Sequence, residues 1–431
     1  MAGQRLTVTE ERVSISKRAS TSFLWMIGIG LVLLILGCIM TAAGIGAHHA
    51  GPEEHGAAEE AGHHAITWYN RLVANLWLNN VYFTGISVVG VFFVAVQYVA
   101  YAGWSVPIKR VLEALGGYLP VGAVLMLVIF FIGNHQLFHW TDHSLFEVDN
   151  PNYDPIIAGK SGYLNIPFYV IRTVLYFSIW IGFAWWLRNQ SIAEDLHGGL
   201  TYYQRSIRIS AIFLVFFGVT SSMAAWDWVM SIDTHWFSTM FGWYVFASWF
   251  VSGLAATTLI VVILKQNGYL PMVNANHLHD LGKFMFAFSI FWTYIWFSQF
   301  MLYWYANIPE EVVYFDERLY YYEGHYAPVF YMNLLVNFAF PFLVLMARET
   351  KRQMLIIKIV CVAILAGHWS DFYIMIMPGT MRAESGFGLI EIGGMLFFLG
   401  IFLMAITRTL TRANLVPINH PFLEESVHHT V

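Results

Sequence analysis

Ionisable side chains inside long apolar runs are the part of this sequence that could do chemistry. In a bilayer each is costly unless it meets a partner or water. Arg172, Glu391 and the pair His368 and Asp371 lie deep within such runs. The spacing of three places His368 and Asp371 on one helix face, within reach of a carboxylate–imidazole hydrogen bond. Arg172 could pair with Asp371, Glu391 or Asp227, leaving every partner charged. Two readings stay open: a structural ion pair, or a water-lined half-channel in which His368, Asp371 and Glu391 pass protons while Arg172 sets their affinities. Glu113, Lys283 and Lys358 sit near the other ends of their runs. They would snorkel to the headgroups or form the mouth of the same path. His135 and His139, four apart in GNHQLFHW, suit either two ligands on one metal or interfacial anchors beside Trp140. The cluster His48, His49, His55, His63 and His64 could bind a transition metal casually. Asn333 and Asn337 precede Pro341, which should kink its helix, and Ser289, Thr293 and Gln299 add neutral polar groups to another run.

The elements that must position these groups follow from composition. Of 431 residues, 58% are hydrophobic and only 11% charged, against about 25% charged in an ordinary soluble domain. Such a chain could not hide its apolar surface in water, which predicts an all-α polytopic membrane protein. Ten apolar runs of spanning length are expected at Thr21–Ala47, Ala74–Gly103, Val111–Gly133, Asn165–Leu187, Ile207–Trp228, Phe241–Leu264, Leu281–Trp304, Ala327–Ala347, Met354–Met377 and Gly386–Ala405. Threading the chain through these spans places seventeen of the 22 Lys and Arg on the side of the N-terminus. Only Arg71, Lys160, Arg318 and Arg382 fall opposite, with Arg172 inside a helix. The asymmetry predicts both termini, residues 1–20 and 414–431, in the cytoplasm. The first run is long and its leader polar, so it reads as a retained helix rather than a cleaved signal. The opposite side carries acidic, aromatic loops, such as 134–164 and 305–326, which either dock partners or are simply solvated. The tail from Asn414 is expected to be short and extended. Two cysteines, Cys38 and Cys361, cannot supply a CxxCH haem attachment or a four-cysteine cluster. No basic run points to nucleic acid.

Four segments carry the reading further: GKSGYLNIPFYVIR (159–172), WDWVMSIDTHWFSTMFGWYVFAS (226–248), HDLGKFMFAFSIFWTYIWFSQFMLYWYANIPEE (279–311) and MPGT (377–380), with PFLEES (421–426) in the tail. Together they resemble the F-subunit family of alternative complex III, a bacterial quinol:cytochrome c (or oxidase) oxidoreductase. The similarity runs over nearly the whole chain after residue 70. It implies an NrfD-like, polysulfide-reductase-type fold of two four-helix bundles, spans 2–5 and 6–9, flanked by the first and last helices. It also implies a bacterial cytoplasmic-membrane subunit that binds no redox cofactor of its own and is not catalytic alone. The expected partners are a pentahaem cytochrome c, an iron–sulfur subunit, a second NrfD-like subunit, a monohaem cytochrome c, small membrane subunits, a terminal oxidase and lipids, with haem c and iron–sulfur clusters held by those partners. On this reading Glu113, Lys283, Lys358, Arg172, Asp227, His368, Asp371 and Glu391 would form a proton path. Alternatively the chain binds quinone and oxidises quinol itself, with His135, His139 or Asp227 taking the proton. A stand-alone secondary transporter would need an inverted repeat, and none is visible.

Overall fold

The computed structural model describes residues 11–44 and 66–430. The cluster His48, His49, His55, His63 and His64 lies outside the described residues. Among the described residues there is no strand, and ten helices are long and apolar enough to cross a membrane. They are α1 (Lys17–Ala42), α2 (Trp68–Val99), α3 (Val106–Leu137), α4 (Ile166–His197), α5 (Leu200–Trp228), α6 (Phe241–Gln266), α7 (Ala275–Ala306), α8 (Ala327–Met346), α9 (Met354–Met381) and α10 (Leu389–Leu410). Several outrun their apolar stretches: α4 continues ten residues past Leu187, and α2, α5 and α7 begin about a turn or more before theirs. Polar residues extend a helix as readily as apolar ones once it leaves the lipid, so hydropathy marks the buried length and not the helix ends.

Helices α2 to α5 pack in a closed ring, as do α6 to α9. The two rings meet through α2 and α5 against α6, and α2 against α9. Helix α2 is therefore buried along most of its length, whereas α1 keeps an apolar outer face of Leu24, Trp25, Ile29, Val32 and Ile39 suited to lipid or a neighbour. Helix α1 lies along α10, and α10 packs on α2. The α1–α10 seam is built on glycine. A Cβ on Gly30 would stand 2.5 Å from the Phe397 nitrogen, and one on Gly393 would stand 2.7 Å from the Leu34 nitrogen. The two backbones approach this closely because no side chain intervenes.

The tail differs from its expected extended form. It packs under both rings and ends in a short helix, Leu423–Val427. Leu415, Val416 and Leu423 are buried. The Leu415 amide donates to the Glu11 carbonyl (2.8 Å), Ile418 to Asp195 Oδ1 (3.0 Å) and Ser426 Oγ to the Trp104 carbonyl (2.8 Å). At its far end His429 Nε2 lies 2.6 Å from Asp280 Oδ2 on α7. The tail thus straps the cation-rich ends of the bundles together.

Candidate functional site

The second ring holds a polar core assembled from four helices. Tyr244, Ser248 and Ser252 repeat every four residues down one stripe of α6. Ser289 and Trp292 come from α7, and His368 and Asp371 from one face of α9. On α8, Asn333 precedes and Asn337 lies within a π-helical turn at Leu335–Ala339. Pro341 accounts for that turn: lacking an amide hydrogen, it cannot pair with the Asn337 carbonyl, and the helix takes a wider hydrogen-bond pattern there.

Asp371 Oδ2 accepts from Trp292 Nε1 at 2.9 Å, and Oδ1 accepts from the Tyr244 hydroxyl. His368 Nδ1 stands 3.8 Å from Asp371 Oδ2, outside hydrogen-bond range, and makes its bond of 2.9 Å with Ser248 Oγ instead. Its ring meets the Trp292 indole edge-on. Both residues are essentially inaccessible to solvent. On the helices of this core, Ser289 Oγ, Asn333 Oδ1, both amide atoms of Asn337 and His368 Nε2 have no hydrogen-bond partner among the described residues. Buried polar atoms of this kind are ordinarily satisfied by ordered water.

The other deep ionisable groups are not part of this core. Arg172 pairs with Asp227, the first-ring member of the three carboxylates open to it by depth. Its Nε and Nη2 reach the carboxylate at 2.8 and 2.9 Å, and Nη1 donates to the Tyr163 carbonyl at 2.9 Å. The Tyr176 hydroxyl also donates to Asp227 at 2.7 Å. Glu391 is held by Arg71 through two 2.8 Å bonds, by Asn75 at 3.0 Å and by the Gly388 amide at 2.8 Å, closing the start of α10. Arg71, read from the sequence only as a loop cation, is the missed half of that pair.

Glu113 belongs to a buried network on the cation-rich side. Arg110 Nη1 lies 3.0 Å from it, Arg188 3.8 Å and Lys109 3.9 Å, while Lys109 also faces Glu194 at 3.7 Å. Arg110 pairs with Asp195 as well. The long polar end of α4 delivers Arg188, Glu194 and Asp195 to this place, and sequence reasoning passed over them because that end lies beyond the apolar run. The strap's His420 covers the network, packed against Tyr98 and Tyr203. Burial beside Lys109 and Arg110 brings its imidazole down to about 2. Lys283 is half exposed and pairs with Asp280 at 2.6 Å. Lys358 donates to Gln266 Oε1 at 3.1 Å on the surface.

A cavity of about 510 Å³ opens on the acidic face between the two rings. His135 and His139 line it, together with Asp142, Asp233, Glu317 and Arg382, among others; Asp227 does not. His135 Nδ1 is 3.1 Å from Thr141 Oγ1. Burial and the nearby His235 pull the His139 imidazole down. Among the described residues no three His, Cys, Asp or Glu side chains converge in a way that could hold a metal ion. No protein-family model and no curated protein matches this sequence.

Proposed function

We propose that the chain is an integral subunit of a bacterial quinol-oxidising respiratory complex of the alternative complex III kind, and that its second ring conducts protons. The observation that carries this reading is the company kept by Asp371. Asp227 and Glu391 are each bonded to an arginine, so a proton arriving at either would leave a largely buried guanidinium without its counter-charge. The described partners of Asp371 are a phenol, an indole and an imidazole, all of which are neutral or can be. Such a carboxyl can take and lose a proton without stranding a buried cation. The partnerless amide and hydroxyl atoms beside it supply the polar lining a water chain needs. Asp280, Lys283 and His429 would form its mouth on the cation-rich face, which the charge asymmetry assigns to the cytoplasm. The cytochrome and iron–sulfur partners would dock on the acidic face. Glu113, Arg172, Asp227 and Glu391 become structural on this reading, and the path narrows to α6, α7, α8 and α9.

The test is proton release per quinol oxidised by the complex in liposomes. Asp371→Asn is expected to lower the stoichiometry, and an unchanged value would overturn proton conduction by this chain.

A second reading is favoured by one specific observation: His135 and His139 share the wall of a cavity whose volume falls within the ligand-pocket range. Quinol would bind there, with a histidine accepting its proton. Photolabelling of this chain by a reactive quinone, lost in His135→Ala and His139→Ala, would support it.

A further inference from the structure

Between the Asp371 core and the acidic-face cavity lies a group of side chains that neither reading uses. The helix Pro309–Leu319 presents Tyr314, Glu317 and Arg318 at spacings of three and four, hence on one face. Arg318 is fully buried. Its Nη2 contacts Asp233 Oδ2 at 2.9 Å, and its Nη1 lies 3.5 Å from Glu317 Oε2. The rest of the guanidinium caps α9. Pro378 leaves the Ile374 carbonyl without its helical donor, and Arg318 Nε donates to that oxygen at 3.0 Å, while Nη2 reaches the Met375 carbonyl at 3.1 Å. These carbonyls stand one turn beyond Asp371 on the same helix. Tyr314 closes the gap: its ring lies under Arg318, it lines the cavity, and its hydroxyl is within electrostatic reach of both Asp233 and Asp371.

Glu317 is the member of this group able to move a proton. Asp233 is bonded to Arg318, but Glu317 Oε2 has no hydrogen-bond partner among the described residues, and the residue borders the cavity. The charged and titratable groups that face it are Asp233, Arg318, Arg382 and Tyr322, with His135, His139, Asp142 and His235 on the same cavity wall.

We propose that Glu317 is the terminal proton-exchange group of the second ring, passing protons between Asp371 and the water of the acidic-face cavity. The inference rests on the proton-conduction reading. In the outward direction the Asp371 carboxyl gives up its proton through the Tyr244 and Tyr314 hydroxyls to water in the cavity that Tyr314 and Glu317 both border, leaving a carboxylate, and Glu317 takes the proton up as a neutral acid. Glu317 then loses that proton to cavity water and returns to a carboxylate, so charge balances at each step. Burial and the neighbouring Asp233 push the Glu317 carboxyl up to about 7, against the pull of Arg318 and Arg382. A group so placed is half protonated near neutral pH, the condition for efficient transfer in both directions.

The experiment uses the intact complex in liposomes, with infrared titration of its carboxyl C=O bands. Glu317→Gln is expected to slow proton release by on the order of a hundredfold and to remove a band that titrates near neutral pH. Glu317→Asp is expected to restore both in part. Proton release at the wild-type rate in Glu317→Gln, or survival of the band, overturns the assignment. The two failures separate cleanly. If Asp371→Asn also releases protons normally, the conduction reading falls with it; if only Glu317→Gln is normal, conduction stands and the exit lies elsewhere.

Discussion

At the residue scale, the buried carboxylates divide by partner, and the division sets what each substitution should do. Asp227 neutralises Arg172 inside the first ring and accepts three side-chain hydrogen bonds. Asp227→Asn leaves the guanidinium charged and half paired, an error expected to cost about 3–5 kcal/mol. Thermal unfolding in detergent should show it as a large drop in Tm. Asp371→Asn removes no ion pair to a Lys or Arg and should cost far less in the same assay. Glu317 makes a pH prediction. Its folded carboxyl lies near 7 against an ordinary 4.5, so the folded state binds more protons between those values. Its contribution is therefore fully present below about pH 4.5 and is lost as pH rises through 7. Stability should fall over that window by at most about 1.4 kcal/mol per pH unit from this group. Tm measured against pH should flatten there in Glu317→Gln.

At the element scale, existence and order of the helices were legible and their contacts were not. Periodic apolar runs and the segregation of arginines suffice for ten spans, since a missed span would have scattered the cations over both faces. The same pattern is silent about which helices touch, because lipid and protein neighbours look equally apolar to a side chain. Arg172 illustrates this: three carboxylates were available by depth, and only the packing of α4 against α5 selects Asp227. His368 and Asp371 share a face as their spacing requires, yet Ser248 on α6 takes the imidazole bond that the spacing alone suggested for the carboxylate. The α1–α10 seam yields a direct test. Gly393→Val would drive a side chain into the backbone of α1 near Gly30 and Leu34. The expected cost is about 1–3 kcal/mol, with loss of cross-linking between cysteines placed on either side of the seam. Undiminished cross-linking would show that the seam tolerates a wider spacing.

At the scale of the whole molecule, two rings share one wall and one strap. The strap reaches from α1's leader at Glu11 to Asp280 on α7, and its His420 lies buried and neutral over the Lys109–Glu113 network. An imidazole depressed to about 2 from 6.5 resists the charged form. The unfolded chain therefore takes up the proton first as pH drops below 6.5, and stability falls with acidification. The sign is opposite to that of Glu317. His420→Phe keeps the aromatic packing against Tyr98, Tyr203 and Phe422 and should abolish this acid sensitivity, by up to about 1.4 kcal/mol per pH unit. Hydrogen exchange of residues 415–427 at pH 5 and pH 7 would reveal it, and equal protection at both pH values in the unmodified protein would count against it.

By itself, the sequence determined that this chain lives in a membrane, crosses it ten times and keeps most of its cations on one face. Those properties follow from transfer free energies, which sum over residues whatever the fold. It also marked the deep ionisable residues, because their cost in lipid is local. Only the tertiary structure decided which of them are clamped by an arginine and which are not. Pairing depends on distances between helices far apart in the chain, such as α2 and α10 for Arg71 and Glu391. It alone brought Asp233, Glu317 and Arg318 beside the acidic-face end of α9, joining residues outside the spans whose local sequence carries no sign of a buried neighbour.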